Sequence, residues 1–444
     1  MTITQSCRGI LAGFLMLLPI AQAAAPAPGK AASKPASKAE TAMNPIAEQY
    51  VKLVLALGVH DSGYVDAYHG PAEWKTAVAA EKLPLDEIRK RERAARAALA
   101  RIRIAGAEEM LRLRHAFLDQ QLASMEVRLD LLDGRQVPFD TESRLLYGAV
   151  APQVSDAEID VIASELEHAL PGAGSLSARL SAFRQEYVVS VERLPAVMKA
   201  AIAEARRRTR EHIALPDSEG FTFELVSGNP WSAYNWFKGD FQSLIQVETT
   251  KPVYISRILD LACHEGYPGH HVANLLLEDR LQRGRGWIEF SVYPLYSPLS
   301  LIAEGSGNYA IDVVFPPADK AKFEREVLYP LAGIDPSKAD ALDRITRALK
   351  KSRRAENEIS RRLIDGKITT AQAQALLIKL GKAPVEAIAS VRFTQHYRSY
   401  VVNYSVGEDL VRAYIEKRAG TDPTRRWKEF ERLIASPRLP SGIR

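Results

Sequence analysis

The chain has 444 residues, of which 46% are apolar and 25% are charged, and its formal net charge is +5. This composition is typical of a globular protein with a large core, and it excludes a chain that is disordered as a whole. Basic residues cluster locally, as at residues 206–210, but acidic residues lie nearby and aromatic residues are not interleaved. We therefore expect solvated helix faces and no nucleic-acid partner.

Residues 1–23 are typical of a secretory signal peptide. An apolar run over residues 10–20 is followed by a small-residue exit that ends at Ala23. The run is shorter than the roughly 20 residues that a membrane-spanning helix needs, so we expect cleavage and no stable membrane insertion. Cleavage removes Cys7 and leaves Cys263 as the remaining thiol, which excludes an intramolecular disulfide. These features predict export, with the periplasm as the compartment.

The first half of the mature chain has a helical pattern. Residues 24–42 are rich in Ala, Pro and Lys and are predicted to form a flexible linker. The pattern turns helical from Pro45, and the apolar spacing over residues 110–132 predicts an amphipathic helix. Another helix should begin at Pro195. We therefore predict a helical lobe over about residues 43–215.

The second lobe, over about residues 216–444, is predicted to carry the functional site. Residues 221–226 and 241–249 alternate in polarity or are β-branched, and turn residues separate them, which predicts a small β-sheet. Helical patterns return from residue 255. The expected fold is therefore mainly α-helical and two-lobed, with one functional domain over residues 43–444 and a small sheet beside the helix that carries the site.

The strongest local signal is the segment His264-Glu265-Gly-Tyr-Pro268-Gly-His270-His271. In the H-E-x-x-H device, two histidines four residues apart share a helix face and bind Zn²⁺, and the glutamate acts on the metal-bound water. Here Pro268 stands at the position of the second histidine. The usual spacing is therefore absent, although the residue types are those of a zinc site.

Two histidines compete for the place of the second ligand. In a regular helix, His270 is turned by about 240° from His264, whereas His271 returns to nearly the same face about 10 Å further along. Pro268 and Gly269 are expected to bulge or break the helix, which could swing His270 back toward His264. A continuous helix would favour His271 instead.

A third ligand is expected on a following helix. Glu304 is the best candidate, because it lies in an apolar helical segment, residues 301–310, and small residues follow it. Small residues allow this helix to pack closely against the first. Asp312, two turns further along, is a weaker rival.

The blocks at residues 264–271 and 303–310 resemble the H-E-x-x-P-G-H-H and E-G-x-x-x-Y-A signatures of the bacterial family called domain of unknown function 885. That family is similar to the gluzincin-type zinc carboxypeptidases and oligopeptidases, which are helical. The resemblance implies a gluzincin-like fold and one Zn²⁺ ion bound by His264, His270 and Glu304. Further similar blocks begin at Gly58, Tyr68, Trp236 and Tyr400.

This resemblance also implies a mechanism. Three protein ligands leave a position on the zinc for water, whose proton Glu265 would take as general base. The oxyanion needs a further donor, and gluzincins often use a tyrosine or histidine from late in the chain. Tyr404 is our choice within a segment that also holds His396, Tyr397 and Tyr400. For the second ligand we favour His270 over His271, because a local break strains the short distance between ligands less than two full turns do.

The expected substrates are short peptides or related small amides, cleaved near the carboxyl terminus. Arg392 and Arg398 are near the right segment to hold a substrate carboxylate, but nothing in the sequence selects one. The alternatives are a zinc hydrolase of a non-peptide amide or ester and a non-catalytic exported binding protein. The intact Glu265 argues against the last alternative, because binding alone needs no base beside the metal.

The sequence contains two further clusters of polar or aromatic residues. His60, Asp61 and His69 lie near Gly63 and Gly70, and a polar turn is favoured over a metal site. A second group, before the predicted strand, is equally consistent with the lining of a cleft and with an aromatic core cluster. Its members are Trp231, Tyr234, Trp236 and Lys238.

Overall fold

The computed structural model describes residues 37–229 and 231–443, and Lys38–Arg444 form one compact unit. The proposed signal peptide and most of the proposed linker lie outside the described residues. No helix within the described ranges combines the length and the apolarity that crossing a membrane requires. The division into lobes at residues 43–215 and 216–444 stays a prediction.

The fold is mainly α-helical, as predicted. The helices of the first half of the chain are α1 (Lys38–His60), α2 (Ala72–Glu81), α3 (Leu85–Leu99), α4 (Glu109–Leu132), α5 (Phe139–Tyr147), α6 (Asp156–Ala169), α7 (Leu176–Gln185) and α8 (Leu194–Arg210). Those of the second half are α9 (Ile255–Leu261), α10 (His270–Leu277), α11 (Pro298–Val314), α12 (Pro317–Phe323), α13 (Tyr329–Ala332), α14 (Ala339–Ile364), α15 (Thr370–Lys379), α16 (Pro384–Tyr397), α17 (Val402–Ala419) and α18 (Pro423–Ile434).

The strands are short and form small sheets. Their bounds are β1 (Val65–Tyr68), β2 (Gly220–Val226), β3 (Ala233–Gly239), β4 (Gln242–Glu248) and β5 (Val292–Pro294). In the first sheet β1 pairs antiparallel with β5, and in the second the strand order is β2-β4-β3, with β2 parallel and β3 antiparallel to β4. The predicted sheet over residues 221–249 is therefore present. It also contains β3, where the sequence predicted only a cluster of aromatic residues.

The predicted helix over residues 110–132 is α4. Its apolar stripe is buried in the core, with the side chains of Leu111, Phe117, Leu118, Leu122, Met125 and Leu129 excluded from solvent. The helix starting at Pro195 is α8, in which this proline occupies the first turn, where its missing N–H costs no hydrogen bond.

Helix α1 begins at Lys38, within the segment that was predicted to be a flexible linker. The contact that accounts for the difference comes from far along the chain: the indole Nε1 of Trp287 donates to Glu40 Oε1 at 2.7 Å. The composition of residues 38–42 suggested a linker because local composition carries no information on such a tertiary contact.

Candidate metal centre

The helix that carries the histidine motif is broken where the sequence predicted. Helix α9 continues into a π-helical segment, Ala262–Gly266, which carries His264 and Glu265. Tyr267 is extended, with φ −114° and ψ 115°, and α10 then begins at His270. A Cβ on Gly269 would lie 1.9 Å from the backbone oxygen of His264, so the chain can double back this tightly only because residue 269 is glycine.

The break brings two histidines and a glutamate together. One ligand atom each of His264, His270 and Glu304 lies within 4.8 Å of the other two. The two imidazole rings are 4.6 Å apart between centroids and nearly perpendicular, and His264 Nε2 lies 3.4 Å from Glu304 Oε2. Atoms at these separations can converge on a single ion at about 2.0–2.2 Å with small side-chain adjustments. The cluster could therefore hold a metal ion.

The donor set of this cluster fits a divalent cation. Glu304 Oε1 accepts a hydrogen bond from the Tyr400 hydroxyl at 2.8 Å, whereas Glu304 Oε2 is buried and has no hydrogen-bond partner among the described residues. A buried carboxylate oxygen without a partner is costly, and a metal ion would satisfy it. Two imidazoles and one carboxylate are also ligands that suit zinc.

His271 points away from this cluster. Its Nε2 lies 3.1 Å from Glu219 Oε2, and its Nδ1 lies 2.9 Å from Ser243 Oγ. Tyr267 also donates to Glu219, at 2.6 Å. Because both sides of the break are tied to Glu219, the buried contacts of His271 hold the turn in place. The rival third ligand, Asp312, is likewise outside the cluster and pairs with Arg412 at 2.6 Å.

Asn308 orients the first histidine. Its Nδ2 donates to the backbone oxygen of Tyr404 at 2.7 Å, which leaves Oδ1 facing His264 Nδ1 at 3.2 Å. This arrangement is satisfied when Nδ1 of His264 carries a proton, which leaves Nε2 as the nitrogen that can bind a metal ion once it has lost its own proton. A hydrogen bond of this kind fixes the tautomer that metal binding requires.

The charges within the cluster are strongly coupled. Burial lowers the pKa of His264, but the nearby carboxylate of Glu304, 3.4 Å from Nε2, and the charge of Glu265 outweigh burial and raise this pKa to about 9. Burial, and then the charge on His264, lower the pKa of His270 to about 4. Without a metal, one histidine is therefore charged and the other neutral near pH 7.

Glu265 lies beside the cluster and is not part of it. Burial, and to a smaller extent the charge of Glu304, raise the pKa of Glu265 to about 7, although His264 opposes the shift. A general base works best when its pKa is near the operating pH. The backbone oxygen of Glu265 accepts from Asn235 Nδ2 on β3 at 2.7 Å, which fixes the π-helical segment against the sheet.

The late tyrosines divide into two roles. Tyr400 donates to Glu304 and so orients a candidate ligand. Tyr404 lines the cavity with Glu265, and its hydroxyl has no hydrogen bond to the described residues. Burial, Glu304 and Glu265 raise the pKa of Tyr404 well above its usual value, so its hydroxyl keeps its proton and can donate it in a hydrogen bond. The assignment of Tyr404 as the oxyanion donor stays a prediction.

A cavity of about 1420 Å³ opens onto the cluster. Its wall includes Trp231 and Tyr234 but not Trp236 or Lys238. Of the four residues for which a cleft lining was considered, two therefore line the cavity. Residues 231–235, which precede β3 or form its first half, all contribute to this wall. The cavity is therefore bounded on one side by the edge strand of the sheet.

The remaining candidates do not join the centre. Asp61 pairs with Arg128 at 2.6 Å, and His60 Nε2 lies 2.6 Å from the backbone oxygen of Leu83. His69 packs its ring edge-on against Phe237. Arg398 pairs with Glu142 at 2.6 Å, and neither Arg398 nor Arg392 belongs to the wall of the cavity. The turn is confined to residues 61–64 at the end of α1, since residues 65–68 form β1, and none of these side chains belongs to the metal cluster.

The sequence analysis did not identify Asn308 or Asp66 as residues of the site. It named Tyr400 but not its hydrogen bond to the candidate ligand Glu304. Asn308 and Glu304 are four residues apart on α11, a spacing that places them on neighbouring turns of one face. That spacing was the available signal for Asn308. Asp66 gave none, because it lies on a four-residue strand far from the histidine motif.

No protein-family model and no curated protein matches the sequence. Distantly similar solved structures include a candidate lipoprotein from Colwellia psychrerythraea, with 14% identity over 84% of this chain and 71% of that chain and a TM-score of 0.49. An M32 carboxypeptidase from Deinococcus radiodurans R1 has 13% identity, coverage of 89% and 90%, and a TM-score of 0.41. A protein named CHT has 11% identity, coverage of 89% and 91%, and a TM-score of 0.39.

Proposed function

We propose that the protein is a zinc-dependent hydrolase that cleaves peptides. The observation that carries the proposal is the convergence of His264, His270 and Glu304 beside Glu265 in the wall of one large cavity. A protein that only binds its ligand has no need of a buried glutamate with a near-neutral pKa next to such a cluster. The resemblance to the bacterial domain of unknown function 885 agrees with this assignment.

His264, His270 and Glu304 would hold the zinc ion, which supplies Lewis acidity and an activated water when it is bound. Glu265 takes the proton of the water that attacks the substrate carbonyl, and then passes it to the leaving amine. Tyr404 donates a hydrogen bond to the carbonyl oxygen as negative charge develops there. Tyr400 and Asn308 keep Glu304 and His264 in their orientations.

Short peptides are the substrates that the cavity suits best. Residues 231–235 of the wall belong to β3 or precede it directly, and among the described strands β3 has a partner on one side only. An extended peptide can add to such an edge through backbone hydrogen bonds, which accommodate many sequences. The motif resemblance supports carboxypeptidase-like or oligopeptidase-like cleavage as part of the proposal, and the signal-peptide pattern at residues 1–23 supports export to the periplasm.

The test is a peptide-mixture digest read by mass spectrometry, together with metal analysis of the purified protein. We expect about one zinc per chain and cleavage of short peptides. The variant Glu265→Gln should keep its zinc but lose at least about a hundredfold in turnover, because it removes the base and no ligand.

Lys382→Ala is the control and should retain turnover, because Lys382 lines the cavity but pairs with Glu356 and is not part of the metal cluster. Full activity in Glu265→Gln would refute the mechanism. If the zinc-loaded protein cleaves no peptide but hydrolyses another amide or an ester, that compound class would replace peptides as the proposed substrate.

A further inference from the structure

Asp66 is directed into the cavity by an irregularity in β1. Val65 is opposite Pro294 of β5, and Ala67 is opposite Tyr293, so Asp66 is an extra residue on its strand. Such β-bulges re-aim a side chain and are frequent beside active sites. Asp66 is the residue of β1 that joins the cavity wall, together with Glu265 and the metal cluster.

The carboxylate of Asp66 has no partner in the described part of the chain. It makes no hydrogen bond and no ion pair there, and it is not a member of the metal cluster. Burial first, and then the negative charges of Glu304 and Glu265, raise the pKa of Asp66 to about 8. The described residues supply no cation to this carboxylate, so a cation bound from the cavity would be its ionic partner and would stabilise its ionised form.

Aromatic side chains border the same place. Tyr293 of β5 and Tyr397 at the end of α16 both line the cavity, and the pKa of each is raised by burial and, to a smaller extent, by the charge of Asp66. The face of a tyrosine ring attracts an ammonium group, and a carboxylate next to such rings adds a direct ionic partner. The combination suits an organic cation more than a second metal ion, because the nearby rings offer few additional ligand atoms.

We propose that Asp66, with Tyr293 and Tyr397, binds a primary ammonium group of the substrate close to the scissile bond. In a peptide this group is a lysine side chain, or the free amino terminus of a peptide so short that cleavage near its carboxyl terminus also lies near its amino terminus. The inference rests on the proposed peptidase function, which it makes more specific: peptides that carry an ammonium group near the cleaved bond are preferred over their acylated forms. Asp66 is thus a binding residue that determines specificity.

The test measures binding separately from turnover. Zinc-loaded Glu265→Gln protein is titrated by calorimetry with tetra-alanine, with N-acetyl-tetra-alanine, and with N-acetylated peptides carrying lysine at each position. We expect the free peptide to bind at least about tenfold more tightly than its acetylated form, as one added ionic contact commonly gives. Adding Asp66→Asn should abolish this ratio, and Asp66→Glu, which keeps the charge, should retain part of it.

The control is Asp343→Asn, because Asp343 lines a different part of the cavity and already pairs with Arg347. It should leave the ratio unchanged. Tighter binding of an acetylated lysine peptide, lost in Asp66→Asn, would identify the side chain as the source of the ammonium group.

Several results would overturn the inference: equal affinities for free and acetylated peptides, a ratio that survives Asp66→Asn, or binding of no peptide at all. A second zinc equivalent that is lost in Asp66→Asn would instead make Asp66 a metal ligand. None of these outcomes decides whether the parent protein hydrolyses peptides, which the digest measures independently. The two proposals can therefore fail separately.

Discussion

His264 must lose a proton before it can bind zinc. Its pKa of about 9 in the metal-free protein means that the ring is charged at pH 7, where it faces Glu304 Oε2 at 3.4 Å. A metal ion displaces that proton, because only a neutral imidazole nitrogen offers a lone pair. Since protons and zinc compete for His264, zinc affinity should fall as the pH is lowered from about 9.

We therefore expect zinc binding at pH 7 to release at least about one proton per ion, from His264, with a further fraction from Glu265, whose pKa is about 7. Calorimetric titration of the metal-free protein in two buffers with different ionisation enthalpies measures this number directly. His270, whose pKa is about 4, should contribute no proton at this pH. Binding heats that are the same in both buffers would contradict the expectation.

Glu304 is expected to be indispensable for the metal. The variant Glu304→Ala leaves two imidazoles and should lose most of its zinc after dialysis, as measured by metal analysis. Asp312→Ala is the matched control on the same helix, because Asp312 pairs with Arg412 and not with the cluster. Equal zinc content in both variants and in the parent protein would remove Glu304 from the proposed site.

At the scale of residues, the sequence identified the candidate ligands but not the groups that orient them. His264, His270 and Glu304 could be identified from their residue types and their local sequence context. The hydrogen bond from Tyr400 to Glu304 and the approach of Asp66 to the cavity join residues that are far apart in the chain. Such pairs depend on how the elements pack, which no local pattern encodes.

Close packing of α11 against α17 fixes the position of Glu304. A Cβ on Gly305 would lie 2.4 Å from backbone atoms of Gly407, and backbone atoms cannot rotate out of the way as a side chain can. The residue that follows the candidate ligand is therefore at the contact point of the two helices. Tyr400, which donates to Glu304, lies just before α17.

Gly305→Ala should destabilise the protein although alanine is the better helix former. The gain in helix propensity is about 1 kcal/mol, whereas overpacking costs about 1–3 kcal/mol and is near the upper end against rigid backbone. We expect a lower midpoint of thermal unfolding and weaker zinc binding. Gly63→Ala is the control, because the nearest atom to its Cβ would be 3.8 Å away. Unfolding of Gly305→Ala at the parental temperature would contradict the argument.

At the scale of elements, local patterns predicted the helices better than the strands. The stripe of α4 and the helix start at Pro195 were both present, since each depends on neighbours within a few turns. Strand β3 was missed because its aromatic residues suggested a core cluster or a cleft. The pairing of β1 with β5 joins short segments distant in the chain, and the bulge at Asp66 could not be anticipated.

A fully buried ion pair connects distant parts of the molecule. Arg114 of α4 donates to both oxygens of Glu289, at 2.6 and 3.0 Å, and to Asn44 of α1 at 2.9 Å. Both charged side chains are completely excluded from solvent. The cost of removing water from the pair is offset only while every polar atom keeps its partner.

Glu289→Gln should lower the free energy of unfolding by about 3–5 kcal/mol, because it leaves the Arg114 guanidinium buried without a counter-ion. Asp119→Asn, which breaks the half-exposed pair between Asp119 and Arg96, should cost less than about 1 kcal/mol. Urea unfolding followed by circular dichroism compares the two variants. Similar losses in both would show that burial of the Arg114 pair has no special effect.

For the molecule as a whole, the sequence predicted the class of fold but not its packing. Residue periodicity sufficed for a mainly helical protein with a small sheet. It placed the beginning of the first helix too late, because α1 starts at Lys38 and is tied to Trp287. The bond between Glu40 and Trp287 depends on the packing of distant segments, which periodicity does not describe.

Because the helix is broken between the two histidines, the distance between their rings does not depend on a regular helical spacing along the chain. His264 is near the end of one helical segment and His270 is the first residue of the next, so each is positioned by its own helix. A connection of another length could serve only in variants that hold the two helix ends in the same place, as Gly269 and the contacts to Glu219 hold them here. A search for distant relatives by fixed histidine spacing would overlook such variants. Two facing helix ends with a glutamate opposite them identify this kind of site better than the number of residues between the histidines does.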